Sequence, residues 1–516
     1  MTEETSEKDR EEFLRNYIDC IADASRQLNS REWWATDVAS KNRFASRMTA
    51  LLTGKVTPEP FFRSSMVFID RAARIIFCAC RTIYHGLQAK WYFRKKNILV
   101  SASNIPRYVI KTFVYGHSFT KDGSYHDAFF GCLPKVLEDH GRSVLVYAVI
   151  LGDRAQCLRL MARCTNVEIV PVELFFDWRK ILSDALHLLF FRFRRLETVR
   201  FGDENVAPLI DRELSRTLND IPSFQYFHYR FVESLTKTVR IETFLQTGEN
   251  NPWERMCILA LRKYAPLTRI LSYQHATVPQ ASANMFAGSG EANVAPLPDC
   301  LLTTGPEPKR IIEKYGKLPE GFVTASCGWR YEYLEGAEPS NGHKEHAPRR
   351  ILLALDGNLE GHRMLEYVLC ELGGHPEYVL TARAHPVLPF DKIRKKLFSS
   401  LPELEKLELS QERDIKTDLL RADAVIYWGS TVGLEALRLG CPVIHFDMGT
   451  TLSYDPLFAF DCKIKRTVTE KESLHELLQS IFSLDKRQLV ELQQTARKYI
   501  ETYFSPVSEN HLKLFL

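Results

Sequence analysis

The chain has 516 residues, 45% of them hydrophobic, with 68 basic and 64 acidic side chains and a formal net charge of +4. That length allows two domains with full cores, and the near-balance of charge excludes a general nucleic-acid binder, which carries a strong basic bias. Twelve scattered cysteines lack paired CxxC and His spacing, so they point to reduced thiols, and no metal-binding set is expected.

The opening MTEETSEKDREE is acidic and has no apolar core. Neither a secretory signal nor, given the lack of any run of about 20 apolar residues, a spanning helix is expected. Residues 1–60 read as helical and polar, with Trp33-Trp34 as a buried anchor. Met66 to Tyr92 is amphipathic at helical spacing, with Arg71, Arg74 and Arg81 among its apolar residues. Leu186 to Leu196 (LHLLFFRFRRL) again sets arginines among aromatics. Two readings stand for both stretches: packing on a neighbouring helix, or peripheral contact with an anionic membrane.

From Tyr108 the texture becomes alternating strand and helix. Tyr108–Tyr115, Ser143–Leu151 and Asn166–Val172 read as strands, with a helix over Asp127–His140. Glu242–Thr247, Arg269–Tyr273 and Cys300–Thr304 read as further strands, with a helix over Glu254–Lys263 started by Pro252. That alternation predicts a parallel sheet covered by helices. Tyr331 to Arg350 is polar, rich in Gly and Pro, and reads as a linker. A second unit follows, with strands at Ile351–Leu355, Tyr378–Arg383, Ala424–Trp428 and Val443–Phe446. Closing helices at Glu472–Phe482 and Lys486–Tyr503 are expected to pack back on the first domain.

Four polar clusters follow predicted strands: Gly116-His117-Ser118, Gln274-His275, Arg383-Ala384-His385-Pro386 and Gly429-Ser430-Thr431. Ligands of open parallel sheets bind beyond the carboxyl ends of the strands, so these clusters predict one cleft between two facing sheets. Ser430 and Thr431 start a helix, where free N–H groups and hydroxyls suit a phosphate; an ordinary N-cap is the plainer reading. Arg383 and His385 share a parity along the extended chain and suit a phosphate too, with Pro386 steadying the histidine; a His-Pro turn is the alternative. Glu435, on the following helix, could accept a ribose hydroxyl or lie on the surface. For acid–base work the candidates are Glu249, in the loop GENNPWE, then Asp127, with His117 also eligible.

These motifs together resemble bacterial surface-carbohydrate glycosyltransferases of the GT-B architecture over about residues 105–460. GSTVGLEALRLGCPVI looks like the second-domain nucleotide-sugar motif of that group. Arg383 to Pro386 is similar to the His-Pro motif of CMP-sugar-dependent sialyl-, polysialyl- and Kdo-transferases. TGENNPWER, YQHATVP and YGHSF with DAFFGCLP look like further motifs of a surface-carbohydrate biosynthesis family. An acidic-acidic-Gly motif that supplies the base in several sialyltransferases has no counterpart in the first half; Asp356-Gly357 partly resembles it but falls in the second.

The resemblance implies an α/β fold of two facing Rossmann-like domains with an N-terminal helical extension. The divisions are 1–104 for the extension, 105–330 for the acceptor side, 331–349 for the linker and 350–516 for the nucleotide-sugar domain. It implies transfer of a sugar, first a CMP-activated ulosonic acid, to a surface glycan or lipid-linked glycan. No cofactor is required beyond the nucleotide-sugar donor. Arg383, His385, Pro386, Gly429, Ser430, Thr431 and Glu435 would hold the donor. Glu249, Asp127 or His275 would act as base, and His117, Ser118, Asn250, Gln274 and Asp356 would line the cleft. The alternatives are a CDP-polyol-dependent phosphopolyol transferase, with the base at His275, and a non-catalytic scaffold of glycan assembly. The expected location is the cytoplasm, including the inner face of the cytoplasmic membrane.

Overall fold

The computed structural model describes residues 7–41, 64–94, 105–220, 223–336, 348–397, 402–412 and 414–516. The chain forms two compact units, each a Rossmann-like domain around its own parallel sheet. One comprises Leu14–His275, Ala283–Arg330 and Val507–Leu516; the other takes Met1–Phe13, Ala276–Ser282 and Tyr331–Pro506.

The first sheet has seven parallel strands: β1 (Arg107–Val114), β2 (Val144–Ile150), β3 (Ile169–Pro171), β4 (Ile241–Thr247), β5 (Arg269–Tyr273), β6 (Cys300–Thr303) and β7 (Val323–Ala325). Their order is β3-β2-β1-β4-β5-β6-β7. Its central strands are apolar runs because helices cover both faces; Val109, Ile110, Leu145 and Val146 have no exposed surface. The order reverses between β1 and β4, which makes their carboxyl ends the natural crevice of this unit.

Trp33 and Trp34 are buried, as expected. Trp33 donates to Ser25 Oγ at 3.1 Å and Trp34 to Asn29 Oδ1 at 2.9 Å. The helix Ser64–Phe93 meets the expected Met66–Tyr92 stretch. Its Gly86 lies flush on Phe176, whose ring a Cβ would meet at 2.2 Å. Arg71 is buried and caps the end of the Trp178–Phe190 helix through Leu188 O and Phe191 O. That helix stops at Phe190, so Leu186–Leu196 is half helix and half extended chain.

Three expectations need correction. The helix predicted from Asp127 begins only at Leu133. Asp127 Oδ1 instead accepts the backbone N–H groups of Phe129 and Phe130 at 2.8 and 2.9 Å, and Gly131 turns the chain at φ 55°. The strand predicted over Asn166–Val172 shrinks to Ile169–Pro171, because the Asn166 amide is spent on both backbone groups of Tyr125. The closing helices stay with the second unit, where Gln493 Nε2 donates to Gly440 O at 2.7 Å. The last ten residues, after Pro506, join the first unit, where Tyr108 donates its hydroxyl to Leu516 O at 2.6 Å.

The second sheet has six parallel strands: β8 (Arg349–Ala354), β9 (Tyr378–Arg383), β10 (Glu408–Leu409), β11 (Ala424–Tyr427), β12 (Val443–Phe446) and β13 (Lys465–Val468), in the order β10-β9-β8-β11-β12-β13. Its core gathers Ile351, Leu353, Ile426 and Ile444 with Leu365, Leu369, Leu474 and Leu478 of the covering helices. The order reverses between β8 and β11, so this unit repeats the topology of the first. Of the expected linker, Trp329–Leu334 is a short 3-10 helix, and residues 337–347 lie outside the described residues.

Candidate active site

In the second unit, β8 ends at Ala354 and the chain turns through Leu355, Asp356 and Gly357. On one side β9 hands over to Ala384 and His385; on the other β11 hands over to Trp428, Gly429 and Ser430. These segments converge. A Cβ on Gly357 would meet His385 Nδ1 at 3.3 Å, and one on Gly429 would meet Asp356 Oδ2 at 3.6 Å. Burial raises the Asp356 carboxyl from 3.8 to about 6. Tyr454 leans on Trp428, ring centroids 4.8 Å apart, and walls the Gly429 side.

Ser430 Oγ accepts the Val432 N–H at 3.2 Å, and Thr431 is the N-cap of the helix Val432–Arg438. Thr431 donates its hydroxyl to Glu435 Oε1 at 3.1 Å, and Tyr333 donates to Glu435 Oε2. Glu435 is thus buried, with both oxygens engaged within its own unit. Arg383 is engaged likewise: its guanidinium pairs with Asp418 and donates to Glu412 O at 3.0 Å. His385 is half-buried, its Nδ1 accepting the Val387 N–H at 3.3 Å, and Pro386 is exposed. Shared parity therefore did not bring Arg383 and His385 to one target, because the strand ends at Arg383 and the chain turns after it.

In the first unit the ends of β1, β4 and β5 carry the predicted residues. Glu249 follows β4 and His275 follows β5, with Glu249 Oε1 3.8 Å from His275 Nε2. Asn251 Nδ2 donates to Glu249 Oε2 at 3.0 Å and fixes that carboxylate. His275 is buried, and burial lowers it to about 4, so it is neutral at pH 7. Its ring and that of Phe129 are T-shaped, with centroids 4.7 Å apart.

Four other predicted residues serve the local fold. Asp127 is 2% exposed and, besides the two N–H groups, accepts from Thr112 at 3.2 Å and Tyr125 at 2.7 Å. Asn250 sits at φ 56°, donating to Asn284 O at 2.9 Å and accepting from Arg255 at 2.8 Å. Gln274 Oε1 accepts the Thr304 N–H at 3.0 Å. Ser118 Oγ accepts the Tyr115 N–H at 3.2 Å. His117, by contrast, is exposed and stacks on Tyr115 with ring centroids 4.9 Å apart.

Two residues escaped the sequence reading. Arg330 lies 5.8 Å from the centre of the Phe129 ring, and its positive charge adds to burial in disfavouring protonated His275. Its signal was the glycine-bearing turn GWR soon after a strand. Glu254 is buried below Glu249, accepts the N–H groups of Glu249 and Asn251 at 3.0 and 2.9 Å, and is raised to about 7 by burial and then by the Glu249 charge. As the third helical residue after Asn251 it reads as an ordinary capping box.

No family model matches the chain, and no curated protein matches it. Solved structures do align with it. A glycosyltransferase from Rickettsia africae ESF-5 is similar at 14% identity, over 79% of this chain and 98% of that one, with a TM-score of 0.45. MurG of Acinetobacter baumannii aligns at 14% identity over 80% and 98%, TM-score 0.40. A UDP-GlcNAc 2-epimerase from Neisseria meningitidis, bound to UDP-GlcNAc, aligns at 12% over 79% and 97%, TM-score 0.38. At such identity the likeness is one of fold and says nothing of substrate.

Proposed function

We propose that this chain is a glycosyltransferase that moves a sugar from a nucleotide donor onto a glycan or lipid-linked glycan. The observation that carries this reading is the convergence of Asp356, His385 and Gly429, the residue before Ser430, where the strand order of the second sheet reverses. Such a switch point is where open parallel sheets hold phosphorylated ligands. His385, the Ser430 hydroxyl and the Thr431 backbone N–H would donate to the donor phosphates and stabilise the leaving phosphate as charge builds on it. Asp356, protonated below about pH 6, adds a donor there. Gly429 and Pro386 shape the approach. Arg383 is assigned to orienting the β9 end through Asp418, and Glu435 to the ribose side through the Thr431 and Tyr333 hydroxyls that hold it.

Glu249 is the base in this reading. It is accessible, fixed by Asn251 and neighboured by a neutral His275. Asp127, closed in by four hydrogen bonds, keeps the turn instead. A CMP-activated ulosonic acid is the first donor to test; CDP-glycerol tests the phosphopolyol alternative. Melting curves with CMP, CDP, UDP, GDP and TDP decide the nucleotide, because a ligand at about 100 times its Kd adds about 2.7 kcal/mol. No shift with any of them would sink the reading. Binding without transfer to any acceptor would favour the scaffold.

The same reading places the chain against an anionic membrane. Ile69, Phe77, Tyr84, Leu87 and Trp91 stand exposed on the Ser64–Phe93 helix, and Trp178, Leu182, Leu186 and Phe190 on the Trp178–Phe190 helix. Phe68 and Phe190 meet at 6.5 Å, which joins the two apolar faces, and Arg74, Arg81, Lys90 and Arg179 lie on the same helices. No helix among the described residues is long and apolar enough to cross a membrane. Co-sedimentation with anionic vesicles that falls with salt supports this; equal binding to neutral vesicles removes it.

A further inference from the structure

Away from the carboxyl ends of the second sheet, at the amino-terminal end of β9, three ligating side chains meet. His375 and Glu377 belong to the tight turn that enters β9, closed by the Tyr378 N–H donating to His375 O at 3.2 Å. His475 is the second residue of the Leu474–Phe482 helix, which Ser473 caps. The two imidazoles stack, ring centroids 4.3 Å apart and planes 21° apart. Both Nδ1 atoms address one carboxylate oxygen: Glu377 Oε1 is 3.2 Å from His375 Nδ1 and 3.9 Å from His475 Nδ1. One ligand atom from each residue lies within 4.8 Å of the others.

We propose that His375, Glu377 and His475 bind a divalent transition metal, zinc first, as a site separate from the donor site. Tetrahedral zinc with bonds of about 2.0–2.1 Å sets its ligand atoms about 3.3 Å apart. The His375–Glu377 separation already matches, the Glu377–His475 separation needs to close by about half an ångström, and the stacked imidazoles must turn so that a nitrogen of each points at one ion. Two imidazoles with one carboxylate favour zinc over magnesium or calcium, which take all-oxygen sets. The Tyr378 hydroxyl lies 3.2 Å from His475 Nδ1 and accepts from Gln479 Nε2 at 3.3 Å, so on metal binding it would give up that nitrogen and stand beside the ion, where it could hold a bound water. The side chains are partly open, with relative exposures of 38%, 39% and 29% for His375, Glu377 and His475, which leaves an entry path. Bound metal would tie the start of β9 to a helix one hundred residues further along the chain. Sequence spacing alone could not reveal that set.

The test uses the metal-stripped full chain. One equivalent of Co2+ should give the intense visible bands of tetrahedral coordination, and Zn2+ should bleach them. His375→Ala and His475→Ala should each weaken binding by about 100-fold or more, since even outer partners of ligands cost 10–100-fold. His140→Ala, in the other unit, should bind as the parent does. Zinc should also protect His375 and His475 of the parent from diethylpyrocarbonate, read by peptide mass spectrometry, which needs no variant to fold. Absence of tetrahedral bands, bands that persist in either ligand variant, or unchanged labelling of both histidines with zinc would each overturn the site.

Discussion

The two sheets share one topology and end in polar clusters of opposite character. At the first sheet, Asp127, Asn250, Gln274 and Ser118 spend their polar atoms on backbone groups and neighbouring side chains, and only Glu249, His117 and Arg330 keep access to a ligand. At the second sheet, Asp356, His385, Gly429, Ser430 and Thr431 are half-buried, and His385 Nδ1 and Ser430 Oγ accept backbone N–H groups of their own turns. Buried polar groups must be satisfied, so a crowded strand end becomes scaffold around few reactive groups, whereas an open one keeps donors for a ligand. In the proposed function the first cluster would supply the chemistry and the second the donor binding.

The largest effect expected is at the first cluster. Glu249→Gln should lower transfer about 10²- to 10⁴-fold while sparing nucleotide binding and melting temperature. Full transfer by that variant would pass the base to His275. Asp127→Ala, in the same cluster, should cost about 3–5 kcal/mol in denaturant unfolding, because a buried carboxylate leaves four donors stranded. A loss under about 1 kcal/mol would show that the carboxylate does not hold the turn.

At the second cluster the order of effects inverts, with affinity moving more than stability. His385→Ala should weaken nucleotide binding about 10- to 150-fold, the worth of one hydrogen bond to a charged group, at unchanged stability. A drop in stability with normal binding by the folded fraction would make His385 a turn residue. The smallest effect concerns pH. Asp356 has its folded value raised from 3.8 to about 6, so the stability given by its protonated form is complete below 3.8 and lost as pH rises through 6. Nucleotide affinity should fall over the same rise, by up to about fivefold, as the carboxylate comes to repel phosphate. Asp356→Asn should flatten that slope, and an equal slope in the variant would move the titration elsewhere.

The strands were legible because each is a continuous apolar run bounded by turn residues. Arg269–Tyr273, Tyr378–Arg383 and Val443–Phe446 fall where the pattern put them. Helices were harder. Ala207–Asp220 and Ser223–Leu235 carry mixed polar and aromatic faces and escaped reading, since their apolar stripes mean something only beside the surfaces they cover. Site residues divided in the same way. Positions after strands were readable from the chain, but whether a side chain there faces a ligand or a neighbour was not. Arg383 illustrates it: the sequence offered a cation at a strand end, and Asp418, 35 residues on, claims it.

By itself the sequence determined two parallel α/β units and the polar character of their strand ends. Both follow from neighbours in the chain, because burial on two faces demands apolar runs and strand termination demands small or polar residues. The tertiary structure alone decided that Asp127 closes a turn and that the last ten residues join the first unit. It also decided that His375 and His475 stack across one hundred positions. The physical reason is that a polar group's partner is chosen by what packing brings within about 3 Å, and that distance is independent of separation along the chain.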